Sequence, residues 1–422
     1  MVKSRIQSRP ARKDPLEFNE AYAAFLGVFS MPLRKKMSRE LAIKLLNEGG
    51  LKAEWNATCA DNFETYENFL LPHDISRQYF RVKLDDIDVY LAAANEQITR
   101  VPLLAEVFLA IYPEIKVGIL MLNIRLGRCD VDQLIYFKQS FFGRFKLDVA
   151  LPASLGGAQR RISLNEVVQN YAKSILSSFS IATTDLVVMP FACIEIRSLS
   201  DTNDSNDPED VFQNFPQQIY GLLVADEGWR YVPLEVAISR IEPRWGTRDF
   251  VKVACFAESV VMMNFEDKSG CKYKEDQRDV RERFGCEVEK YFVSSSEVAG
   301  LRHGPLLMLE NVSIQRFVVQ QALARTADTK TKKIKKILNE RERLSEALAK
   351  LSPMKIPEVG SLGYRIQEAM HVSSSTEELK ERLEEVEQIL LIRYAQRKDI
   401  LLTSLSVVAF GISIVSFMMS LL

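Results

Sequence analysis

The rhythm of hydrophobic and polar residues changes several times along this chain. Between residues 15 and 50, Phe18, Tyr22, Phe25 and Phe29 recur at helical spacing, followed by Leu41, Ile43, Leu45 and Leu46 ahead of Gly49-Gly50. That spacing predicts helix throughout. From residue 80 the period drops to two. Phe80, Val82 and Leu84 alternate with Arg81, Lys83 and Asp85, the mark of a half-buried strand. The alternation slips phase at Asp85-Asp86, which predicts a bulge. Residues 116–126, KVGILMLNIRL, are almost continuously apolar and predict a buried central strand.

Two capping boxes follow. Asp130-x-x-Gln133 opens the predicted helix VDQLIYFKQSFF, and Ser163-x-x-Glu166 opens a second in which Val167, Tyr171 and Ile175 lie four apart. Residues 184–199 predict a strand pair or an edge strand, because Pro190 has no N–H to give a ladder. Residues 200–214 carry five carboxylates and predict an acidic loop. Residues 219–225 and 229–235 flank Asp226-Glu227-Gly228, which predicts a hairpin with glycine at the tight position. A last strand region covers 250–265. Strands and helices thus intersperse over residues 15–270, predicting an α/β domain, a mixed sheet with flanking helices.

Beyond Gly270 helical spacing takes over, so 271–352 predicts a long helical region. It contains the basic run Lys330, Lys332, Lys333, Lys335 and Lys336, a solvated face with the inner leaflet as its alternative partner. Pro353, Pro357, Gly360 and Gly363 make 353–374 a linker. Ser375-x-x-Glu378 then caps a juxtamembrane helix over 375–399. Leu379, Leu383, Val386 and Leu390 fall at intervals of 4, 3 and 4, a seam for a short coiled coil or for packing within the chain.

Residues 400–422 hold no charged side chain, and at about 1.5 Å per residue they reach roughly 34 Å, enough to cross a hydrocarbon core of about 30 Å. A helical stalk and one C-terminal transmembrane helix therefore complete the predicted fold, a tail anchor. Arg393, Arg397 and Lys398 flank the span, and the positive-inside rule puts the N-terminal bulk in the cytoplasm. Within the span Ser406, Ala409, Ser413, Ser416 and Ser420 repeat at 3, 4, 3, 4. Small residues on one face let membrane helices approach closely, so the stripe predicts helix packing and a homo-oligomer.

Composition adds bounds. At 422 residues the chain predicts two or three units, and 47% hydrophobic with 26% charged residues supplies an ample core. A net charge of −1 argues against nucleic acid as a partner. Six scattered cysteines without a Cys-x-x-Cys pair fit a reduced compartment. Residues 1–14 read as a disordered basic tail.

Candidate chemistry is sparse. Asp85, Asp86 and Asp88 are the candidate metal ligands, with Asp86 and Asp88 on one strand face for a hard cation, and a solvated strand edge as the other reading. His73, His303 and His371 stand apart from other ligands at zinc spacing. The loop 155–161 has two glycines ahead of a helix but lacks phosphate-loop spacing, and reads as a turn. Nothing names a catalytic residue or a cofactor. In layout the chain resembles the CorA-type magnesium channels, where a cytosolic α/β domain feeds a long helix into C-terminal membrane segments. Those channels have two spans and a Gly-Met-Asn signature, whereas here Gly411 is followed by Ile412 and Ser413. The expected function is a membrane sensor, scaffold or effector whose domain binds a small ligand or protein. The alternatives are an ion channel of that layout or a membrane-tethered enzyme.

Overall fold

The computed structural model describes residues 14–33, 37–55, 80–90, 102–184, 186–200, 207–242, 244–248, 251–265, 303–327 and 357–421. Their centre is one mixed sheet of eleven strands. Strand β1 (Glu17–Ser30) lies in its middle, antiparallel to β4 (Val117–Leu126) on one side and to β8 (Val188–Leu199) on the other. Beyond β4 come β3 (Pro102–Tyr112), β2 (Phe80–Tyr90), β6 (Leu147–Ala150) and β7 (Gln159–Ile162). Beyond β8 come β11 (Ser259–Asn264), β10 (Val251–Phe256) and β9 (Trp245–Arg248). The short β5 (Cys129–Asp130) pairs with the start of β1. Only the β8–β11 pair is parallel among these ladders.

Strand β1 replaces the predicted helix at 15–30. Every residue from Ala21 to Phe29 is buried, so both faces of the strand carry apolar side chains and the period-two signal vanishes. A register shift between Phe18 and Ala21 moves Phe18 onto the same face as Phe25 and Phe29, and the resulting spacing imitates a helix. The helix expected at Leu41–Leu46 does form, as α1 (Arg39–Glu48), with Ser38 accepting from the Leu41 amide.

Helices cover the first face of the sheet. Both capping boxes are present, opening α2 (Val131–Phe141) and α3 (Leu164–Ser178). Phe25 stacks on Phe141 at 4.7 Å, and a Cβ on Gly27 would come within 2.4 Å of Val168, so helix α3 sits directly on β1. Residues 219–235 form α5 (Pro216–Val224) and a 3-10 turn over Glu227–Tyr231, not a hairpin. Pro216 at the first turn and buried Ile219, Leu222 and Leu223 suit a helix, whereas the run of apolar residues alone resembles a strand. Part of the acidic segment is α4 (Pro208–Asn214), capped by Asp207, and α6 (Leu234–Ile241) follows. Lys138 of α2 is fully buried and donates to the Leu222 and Leu223 carbonyls at the end of α5; burial holds its pKa well below the usual lysine value.

Strand β8 is interior. Its parallel partner reaches only Ala192 to Ile196, so Pro190 lies outside that ladder and costs it nothing. Region 250–265 is the hairpin β10–β11, turned at Ala257-Glu258. The bulge predicted in β2 is there, as a register shift between Leu84 and Ile87.

The first part of α7 (His303–Ala327) belongs with the sheet, and Glu310 of that helix meets Arg81 and Tyr112 on the second sheet face. Within the predicted linker, α8 (Pro357–Ala369) is a helix started by Pro357; Trp245 of β9 donates to its Ser361 at 2.8 Å. Arg316 ties this region together, donating to Glu258 in the β10–β11 turn and to the Met370 carbonyl. His371, in the left-handed conformation, separates α8 from α9 (Val372–Leu421).

The contacts divide the chain into two units, the second taking α7 from Val318 and α9 from Ser373. Within it Val319 and Ala322 pack against Leu379 and Leu383.

Candidate functional site

Charged and amide side chains collect on the second sheet face, across β2, β3, β4, β1, β8 and β11. Register places them in rows. Arg125, Tyr22 and Glu195 are direct cross-strand partners on β4, β1 and β8, and Glu106 faces Asn123 across β3 and β4. Strand alternation explains the collection: the same strands send Ile124, Ala23 and Ile194 into the first-face core.

Tyr22 is the hub of one cluster. Its hydroxyl donates to Glu20 at 2.5 Å, and Arg125 donates to the same carboxylate oxygen at 3.1 Å. Arg197 lies 4.4 Å from the Tyr22 ring centroid and donates to Glu195 at 3.2 Å, while Asn264 donates to Glu195 at 3.1 Å. Burial, reinforced by the bond to Glu20, pushes the Tyr22 hydroxyl up to about 12. It is a fixed donor near neutrality, not a base. Burial works to lower the Arg197 pKa, but Glu195 and Tyr22 outweigh it and hold the guanidinium above its ordinary value. The four charges of Glu20, Glu195, Arg125 and Arg197 balance, so the cluster is held together by its own ion pairs and hydrogen bonds.

The second cluster lies on β2, β3 and β4. Lys83 is 3.2 Å from Asp86 and 4.0 Å from Glu106, and Asn123 donates to Glu106 at 3.2 Å. Here the bulge decides the fate of the predicted metal ligands. It parts Asp85 from Asp86: Asp85 accepts from Ser154 at 3.3 Å, and its carbonyl accepts from Tyr171 of α3 at 2.7 Å. Asp88 sits one step along, between Leu104 and Ala150 in register. Among the described residues, no group of three or more His, Cys, Asp or Glu side chains is placed to hold a metal ion.

A third feature is α9. Leu379 and Leu383 of the predicted seam are buried against Val319 and Ala322 of the same chain. The side chains of Val386 and Leu390 lie outside the described residues, as do those of Arg393, Arg397, Ala409, Ser413, Ser416 and Ser420. Further along, Ile392, Ile400, Leu402, Leu405 and Val407 are exposed, as is Lys398. Thr403 and Ser406 return their hydroxyls to the Asp399 and Leu402 carbonyls at 2.7 and 2.8 Å, so neither needs a polar partner outside the helix. Among the described residues no helix is long and apolar enough to cross a membrane; the side chains beyond Val407 are outside that statement. His73 and the lysine run 330–336 also lie outside the described residues.

Comparison with known protein families, with curated proteins and with solved structures gives no match. The clusters therefore stand on their own geometry. Sequence reading passed over Tyr22, Glu106, Asn123, Arg125, Glu195, Arg197 and Asn264. A signal was present: Asn123 and Arg125, like Glu195 and Arg197, are polar residues two apart in strands that are otherwise apolar.

Proposed function

We propose that this chain is a membrane-anchored binding protein, a sensor, scaffold or effector whose α/β unit offers the solvent-reaching side chains of the polar sheet face, Glu20, Asp86, Glu106 and Arg125, to a partner or ligand. The anchor is α9 from residue 400 onward. The observation that carries this reading is the exposure of Ile400, Leu402, Leu405 and Val407 on a helix that continues to Leu421. Residues 402–407 are exposed all round the helix, so among the described residues nothing covers this stretch. An apolar helix with no covered side suits a lipid environment. The Thr403 and Ser406 hydroxyls are satisfied within the helix, as lipid requires. The basic flank of Arg393, Arg397 and Lys398 supports an orientation with the α/β unit on the cytoplasmic side. The small-residue stripe from Ser406 to Ser420 supports self-association through the same helix.

Flotation with liposomes tests the anchor. The full chain is expected to rise with the vesicles while a chain ending at Asp399 stays at the bottom. Equal behaviour of the two would remove the anchor reading.

A further inference from the structure

The cluster around Asn123 has an unmet chemical demand. Asn123 is 3% exposed, and its amide nitrogen donates to Glu106, which fixes which end of the amide is which. Its Oδ1 is then an acceptor, and it has no hydrogen-bond partner; the same holds for Oδ1 of Asp86. Both oxygens are covered, and leaving a buried acceptor unpaired costs about 1–3 kcal/mol. The missing groups on this cluster are therefore donors. Charge says the same. Asp86 and Glu106 carry two negative charges against the single ammonium of Lys83, which reaches Glu106 only at 4.0 Å. One further positive charge would balance them.

We propose that Asp86, Glu106 and Asn123 form a binding site for a monovalent organic cation, a primary ammonium or guanidinium group. Such a group brings N–H donors to this acceptor-rich cluster and supplies the one missing charge. A divalent metal suits the cluster less well, because it offers only two carboxylates and the Lys83 ammonium lies beside both. The side chains of Asp86 and Glu106 are 26% and 30% exposed, so solvent reaches the rim of the cluster while the two unpaired oxygens lie beneath it. This inference rests on reading the polar sheet face as a binding face and is independent of the anchor; flotation can fail without touching it.

Titration of the full chain in detergent micelles with methylguanidine and with butylamine, followed by calorimetry, tests it, with magnesium chloride as the competing probe. At least one of the two organic cations is expected to bind, and Asn123→Leu and Glu106→Gln are each expected to weaken it about tenfold or more. Glu106→Gln keeps an acceptor for the Asn123 amide, so it decides the matter should Asn123→Leu fail to fold, which a melting curve without ligand would show. Three results would overturn the proposal: neither organic cation binds and the oxygens hold only water, magnesium binds in their place, or the folded variants bind as tightly as the parent.

Discussion

Strand β1 and residues 400–407 of α9 are both rich in apolar residues, yet the exposure of their side chains is opposite. From Ala21 to Phe29 every side chain of β1 is covered, by α2 and α3 on one side and by the second-face packing on the other. Ile400, Leu402, Leu405 and Val407 of α9 are more than half exposed among the described residues. Hydrophobicity alone does not say which solvent a segment is built for. Covered apolar side chains report a protein core, whereas a run of uncovered ones is what the proposed lipid environment would explain.

The contrast can be broken at several points. Phe25→Ala removes a fully buried ring from the β1–α2 stack and should lower unfolding free energy by about 3–5 kcal/mol in urea titration. A loss below about 1 kcal/mol would mean the centre of the sheet is not packed as described. Glu310→Ala should cost about 3 kcal/mol, because it leaves the buried Arg81 guanidinium without its carboxylate and Tyr112 without its acceptor. Leu405→Arg should do something different in kind. The melting curve of the α/β unit should stay unchanged, while membrane insertion weakens by about 2.5 kcal/mol or more. A mutation at this exposed position that instead unfolded the sheet would tie α9 to the core.

The smallest effect sharpens the account of the polar face. Tyr22→Phe deletes one donor to Glu20 and should cost about 1 kcal/mol at neutral pH. Its pH dependence is more diagnostic. The folded-state pKa of Tyr22 is raised to about 12 from an ordinary 10.0. The unfolded chain therefore loses that proton first, so the stability tied to the neutral phenol is intact below about pH 10 and drains away as pH rises toward 12. Urea titrations across that window should show a shallower alkaline loss in the Phe variant; parallel curves would mean that Tyr22 is not shielded.

Much of the fold could be read from local signals. The capping boxes at Asp130 and Ser163 work through bonds within four residues, and both helices begin where those boxes put them. The bulge at Asp85-Asp86 announced itself as a phase slip. What failed was decided at long range. The aromatic spacing of β1 resembles a helix only because both its faces are buried and a register shift near Glu20 realigns Phe18. The run 219–225 is the exception, a helix set by near neighbours: Pro216 starts it and Trp229 packs against Gly221, where a Cβ would come within 2.7 Å of the Trp229 side chain. The polar face, like β1, was hidden by long-range pairing. Glu20, Glu106, Glu195, Arg125 and Arg197 come from four strands, of which only β3 and β4 are near in sequence, and the sheet register assembles them.

The most direct test of the membrane reading is alkaline carbonate extraction of membranes from cells making the full chain. An α9 embedded in lipid predicts that the protein stays in the pellet at high pH. Release of intact protein into the supernatant would contradict it and would require another partner for the exposed residues of α9.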